Sequence, residues 1–134
     1  MRPIDELLFP EDVGYTENHE WARKTGAEVV VGITDYAQEE MGDIVYVEFP
    51  EVGEFFDKGA EFGTVESVKA VVAVYMPIDG EIISVNNELE KRPDLVNEDP
   101  YGRGWLITVK PADPGQIDSL MNKTVYYKHL KGSQ

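Results

Sequence analysis

Two strand-like runs, Phe62 to Glu66 and Ala70 to Met76, are separated only by Ser67, Val68 and Lys69. So short a gap leaves room for a tight reversal and little else, so the runs are expected to pair as a hairpin with Lys69 at or near its tip. Around them the pattern repeats. Ala27 to Ile33 is rich in valine, Ile44 to Phe49 alternates as IVYVEF, and Glu81 to Val85 reads EIISV. Each run is bounded by Gly, Pro, Asp or Asn, and short strands at this spacing imply an all-β sandwich or barrel.

Helix signals are few. Thr34 or Asp35 can cap a short helix through Glu40 that stops at Gly42, and Asp113, with Pro114 at the first helical position, can open a C-terminal one. In that last segment Ile117, Leu120 and Met121 fall at helical spacing, which predicts one face packed on the strands. The chain has 134 residues, no low-complexity linker and no strong long-period repeat. A single domain over residues 1–134 is therefore expected.

Composition narrows the possible partners. Twelve Lys and Arg against 26 Asp and Glu leave a net charge of −14, so phosphate backbones and anionic membrane surfaces are repelled. Neither nucleic acid nor membrane is expected as a partner. No run approaches the roughly 18 apolar residues that a membrane span requires. The opening MRPIDELLFPEDVG lacks a basic region followed by an apolar stretch, so the expectation is a soluble, cytoplasmic protein. With no cysteine, the polypeptide has no thiol nucleophile, disulfide or thiolate metal site of its own. Any sulfur chemistry must come from an attached group.

A lysine at a rigid hairpin tip suits acylation, because a modifying enzyme can enclose the amine while reading the turn around it. Glu66-Ser67-Val68-Lys69-Ala70, followed by Pro77-Ile78-Asp79-Gly80, resembles the swinging-arm site of lipoyl and biotinyl carrier domains. Biotinyl sites usually set methionine on both sides of the lysine, and lipoyl domains of 2-oxoacid dehydrogenases usually set aspartate before it. Here the neighbours are Val68 and Ala70, and ESVKA is similar to the lipoylation site of the glycine cleavage H-protein family. The likeness runs through Tyr15, His19-Glu20-Trp21, Gly32-Ile33-Thr34-Asp35-Tyr36-Ala37 and Gly42-Asp43-Ile44-Val45. It continues through Val85-Asn86, Pro93, Leu95, Asn97, Pro100-Tyr101-Gly102 and Gly104-Trp105.

That resemblance implies a lipoyl-like barrel-sandwich hybrid with terminal extensions, and a carrier without catalysis of its own. It implies lipoic acid attached to Lys69, loaded by a lipoate ligase or completed by a lipoyl synthase. It further implies an aminomethyl group accepted through glycine decarboxylase and presented to aminomethyltransferase, with the arm reoxidised by dihydrolipoamide dehydrogenase. Glu20 matches a glutamate in the cleft that receives the loaded arm. A shuttle must disengage and present one arm at a time, so a monomer is expected. In one respect the chain departs from the family: the positions of a serine and an aspartate after the lysine are Val72 and Ala73. An apolar strand there keeps two other cargoes in view, a sulfur carrier for a heterodisulfide-reductase-like system and a lipoyl relay to 2-oxoacid dehydrogenases.

Other polar groups read as surface or core. Two histidines, His19 and His129, make no metal spacing, and Asp43, Glu48, Glu51 and Glu54 fit a solvated face. The glycines of GAEFG lack the lysine and hydroxyl of a phosphate loop. Trp21 and Trp105 suit core or cleft-wall positions.

Overall fold

The computed structural model describes residues 2–132. In chain order its elements are β1 (Gly14–Tyr15), β2 (Glu20–Thr25), β3 (Glu28–Ile33), α1 (Asp35–Met41), β4 (Ile44–Glu48), β5 (Phe55–Phe56) and β6 (Glu61–Ser67). There follow β7 (Val71–Tyr75), β8 (Gly80–Val85), α2 (Leu95–Glu98), β9 (Ile107–Pro111) and α3 (Lys123–Gly132), with 3-10 turns at Ile4–Glu6, Asn87–Glu90 and Gln116–Ser119. The strands form two antiparallel sheets, one ordered β1-β2-β3-β9-β8-β5 and the other β4-β6-β7. This is the mostly β architecture with short helices that the punctuation implied.

One apolar cluster joins the two sheets. Val29, Val31 and Ile33 of β3, Ile82 of β8, and Ile107 and Val109 of β9 meet Ile44, Val47, Phe62, Val65 and Val74 of the smaller sheet. Alternation along β6 is broken once, where the β6–β7 register shifts between Glu61 and Gly63. Gly63 lies so close to the Glu48 carbonyl that no side chain fits there, which lets β4 and β6 approach.

A second cluster stands on the other side of the large sheet. Trp21 is fully buried among Ile4, Val13, Tyr15, Tyr101, Tyr126 and Leu130. Its indole N–H donates to the carbonyls of Ile33 and Pro100, both at 3.0 Å. Gly32 makes room for that ring, since a Cβ there would sit 2.6 Å from Trp21 Cζ2. Tyr15 and Tyr126 stack with centroids 4.5 Å apart, so the C-terminal helix closes the cluster.

The C-terminal segment corrects the sequence reading. Asp113 and Pro114 open no α-helix; the chain makes a 3-10 turn at Gln116–Ser119, and Ile117, Leu120 and Met121 are only half-buried. Met121 instead bridges to Tyr15 as a short strand would. The helix is α3, further along the chain, which buries Tyr126 and Leu130 at i and i+4. Strands β2 and β9 also escaped the pattern. EWARKT carries two basic residues on a strand whose outer end is exposed, and ITVKP ends on a proline.

Candidate functional site

The β6–β7 hairpin turns through Val68, Lys69 and Ala70, all exposed. Ser67 shapes this turn. Its hydroxyl oxygen accepts from the amides of Lys69 (3.3 Å) and Ala70 (3.1 Å), and its own amide donates to the Ala70 carbonyl at 2.8 Å. Ser67 itself is only 5% exposed, so the turn is pinned from beneath. On either side of Lys69, Val68 and Val71 are 69% and 63% exposed, giving the lysine an apolar collar that the fold does not cover.

The turn rests on the end of α1. Thr34 caps that helix by accepting from the Ala37 amide, and Gly42 ends it at φ +78°, a left-handed conformation that glycine adopts without strain. The Val68 amide then donates to the Asp43 carbonyl at 3.0 Å. Asn97 holds this base together. It accepts from the Ile44 amide (2.8 Å) and donates to the Gly42 carbonyl and the Gln38 side chain, both at 2.9 Å. The Lys69 stem passes over Gly42, with Cε 3.7 Å from where a Cβ would stand.

Beside the turn lies a cavity of about 280 Å³ between α1 and β7. Ile33, Ala37 and Met41 form one wall and Ala70, Val72, Ala73 and Val74 the other, while Asn18, His19 and Glu40 supply its polar groups. His19 adopts φ +70°, places Nδ1 2.9 Å from the Tyr126 hydroxyl, and lies 4.9 Å from the Tyr36 ring. Burial lowers its pKa, with Glu40 opposing that and His129 adding to it. Burial, together with a hydrogen bond to Glu40, pushes the Tyr36 phenol up to about 12.

Glu20 lies behind β7 and is 1% exposed. Its Oε1 accepts from the Thr16 hydroxyl at 2.6 Å and its Oε2 from the Tyr75 amide at 3.2 Å. Burial raises its pKa, and these hydrogen bonds partly offset the rise. It lines a second cavity, about 330 Å³, with Tyr15, Thr16, Lys58, Tyr75 and Met121 among its walls. The two cavities share Asn18, and β7 lines both, through Val72, Ala73 and Val74 in the first and Tyr75 in the second. The sequence singled out Lys69 and Glu20 as site residues; Ser67 and Asn97 entered only as parts of the family likeness, with no bracing role assigned to them. Only a serine hydroxyl two residues before the lysine hinted at the turn's brace, since short hydroxyl side chains bond neighbouring amides. Among the described residues, no group of three or more His, Asp or Glu is placed to hold a metal ion.

Comparison with known proteins converges on one family. Residues 13–133 match the family model for the glycine cleavage H-protein. The glycine cleavage system H protein of Anaeromyxobacter sp. (strain K) is 52% identical over 120 residues, covering 90% of this chain and 94% of that protein. Its counterpart from Thermus thermophilus is 52% identical over 123 residues, covering 92% and 96%. The crystal structure of a glycine cleavage system H protein from Mycobacterium marinum superposes with a TM-score of 0.82 at 38% identity, covering 92% of this chain and 99% of that one. The chain belongs to the glycine cleavage H-protein family, and it is a lipoyl-bearing carrier of the glycine cleavage system, not a catalyst.

Proposed function

We propose that the lipoyl group is attached as an amide to Nζ of Lys69 and that its arm rests in the cavity between α1 and β7. One observation carries this reading: an exposed lysine stands on a turn braced by Ser67, directly beside that cavity. The walls fit such an arm, because Ala37, Met41, Val72 and Val74 offer apolar surface to a chain of methylenes ending in a ring with two sulfurs. The group supplies dithiol and disulfide chemistry when bound. The protein's own residues attach it, orient it and shield it from water.

In this reading the arm accepts an aminomethyl group at glycine decarboxylase, offers it to aminomethyltransferase, and is reoxidised by dihydrolipoamide dehydrogenase. A lipoate ligase or lipoyl synthase provides the loaded form. Glu20 serves the cleft from behind β7, where its carboxylate ties the Tyr75 amide to the Thr16 turn. Residues 1–134 act as one unit, monomeric and cytoplasmic, and the net charge of −14 favours brief docking on basic patches of the partner enzymes.

The apolar wall at Val72 and Ala73 favours a second reading, in which the arm carries sulfur. One experiment separates the two. The fully lipoylated protein, mixed with glycine decarboxylase and labelled bicarbonate, should support exchange of the glycine carboxyl carbon; absence of exchange would sink the aminomethyl reading and favour the sulfur one.

A further inference from the structure

The C-terminal helix α3, KTVYYKHLKG, holds three of the chain's twelve Lys and Arg residues and none of its 26 Asp and Glu. Local helix energetics does not account for that. Lys123 occupies the first turn, which has no acidic residue, so a cation stands at the positive end of the helix dipole. Lys128 and Lys131 are neighbours at i and i+3 and repel each other. Of the three lysines, Lys131 alone has an ion pair among the described residues, a 4.0 Å contact with Asp5. Lys123, Val125 and Lys128 are exposed, while Tyr126 and Leu130 hold the opposite face of the helix to the fold.

We propose that α3 is a docking surface for an acidic patch on glycine decarboxylase, the enzyme that loads the arm, and that it fixes the orientation in which that enzyme meets Lys69. The proposal rests on the carrier reading above and deepens it by naming a partner surface. Position supports it. His129 of α3 lines the cavity that holds Glu20, and its ring centroid is 6.4 Å from that of His19, which lines the cavity beside Lys69. The helix therefore borders the region into which the arm folds. Toward the hairpin the exposed charges have the opposite sign, with Glu40 near the end of α1, Asp43 just after it and Glu48 of β4. A partner that spans the cleft thus faces anions around Lys69 and cations along α3.

Charge complementarity selects the occupant. A uniformly basic surface is drawn to the hairpin side and repelled by α3, whereas a surface that sets acidic groups beside basic ones satisfies both and admits one orientation. Val125 lies three residues before Lys128 on the same exposed face, and at 49% exposure it gives that partner an apolar contact among the cations. Charges at the rim of an interface act on the rate of encounter and on register more than on the strength of the closed complex. That suits a carrier, which has to arrive in one orientation and then leave.

The test measures the dissociation constant of the full lipoylated chain with glycine decarboxylase by titration calorimetry. Lys123→Glu and Lys128→Glu are compared with Lys110→Glu, the same charge reversal at an exposed position of β9. Net acidity rises equally in all three. Each α3 variant should bind about threefold more weakly, or worse, at about 0.01 M salt, with the loss shrinking at about 0.15 M. Lys110→Glu should bind as the wild type does or slightly tighter, and the milder Lys128→Gln should show part of the Lys128→Glu loss with an unchanged melting transition. Unchanged or tighter binding by the α3 variants, an equal loss in Lys110→Glu, or no binding by the wild type would overturn the proposal. So would wild-type binding to phosphatidylglycerol vesicles that the α3 variants lose while keeping their affinity for the enzyme. Exchange of the glycine carboxyl carbon is measured separately on the wild type, so failure of the carrier reading shows there and not in the ratios of dissociation constants.

Discussion

Lys69 matters through its position, since it stands in solvent while Ser67, two residues earlier, is fastened beneath it. Arginine at this site keeps the charge and the reach but offers a guanidinium that does not acylate in the same way. Co-expression of Lys69→Arg with a lipoate ligase should therefore give protein of unmodified mass, with a wild-type melting transition because the side chain is exposed. Modification at any other lysine would refute the attachment site. Glu20 shows the opposite relation to solvent. Its pKa is raised by burial, so the folded state holds that proton more tightly than the unfolded chain. The contribution to stability is fully present below the unfolded carboxyl pKa and is lost as pH rises through the raised folded value. Glu20→Gln cannot ionise, so its urea midpoint relative to wild type should improve as pH rises from about 4 to about 7.5; a constant offset across that range would contradict the sign.

At the scale of elements, the hairpin and the end of α1 form one assembly whose parts are fastened by side chains. Ser67→Ala removes the oxygen that receives the Lys69 and Ala70 amides, which return to water at the surface. The expected loss of stability is about 1 kcal/mol, with a larger effect on lipoylation, because a ligase that reads a fixed turn must then order it. Asn97→Ala should weaken both more strongly. It strips partners from the Ile44 amide and the Gly42 carbonyl, for a loss of about 1–3 kcal/mol measurable by urea unfolding. Gly32→Ala tests the other side of the sheet. A methyl 2.6 Å from the Trp21 ring must displace a fully buried indole, lowering stability by roughly 1–3 kcal/mol and altering tryptophan fluorescence.

For the whole molecule, charge is the governing quantity. Acylation removes one positive charge from a chain already at −14, so native electrophoresis should resolve the lipoylated form as the species migrating faster to the anode. Identical mobility at confirmed full modification would contradict this. The acidic groups are spread over a surface whose ion pairs are mostly exposed, among them Arg92 with Asp94 and Arg103 with Glu88. Such pairs contribute little stability. The larger effect of the charge falls on encounters with partners, whose association rates should drop as salt rises.

Periodicity and spacing alone determined that this chain is mostly strands, that β6 and β7 pair, and that Lys69 stands at their turn. They did so because backbone pairing and turn length are local, and a three-residue gap between extended runs permits few outcomes. The cap at Thr34 and the stop at Gly42 were legible for the same reason. Tertiary structure decided the rest. Helix α3 shows weak amphipathicity in YYKHL, and it becomes identifiable once Tyr126 is seen stacked on Tyr15, from the far end of the sequence. Strand β2 is basic at its outer end, and only pairing with β3 on one side and β1 on the other makes it a strand. The cavity depends on the placement of α1 across from β7, a contact between segments distant in sequence that no local pattern encodes. Glu20 stood out through the family likeness, and only the fold shows it 1% exposed and hydrogen-bonded to the Thr16 hydroxyl and the Tyr75 amide.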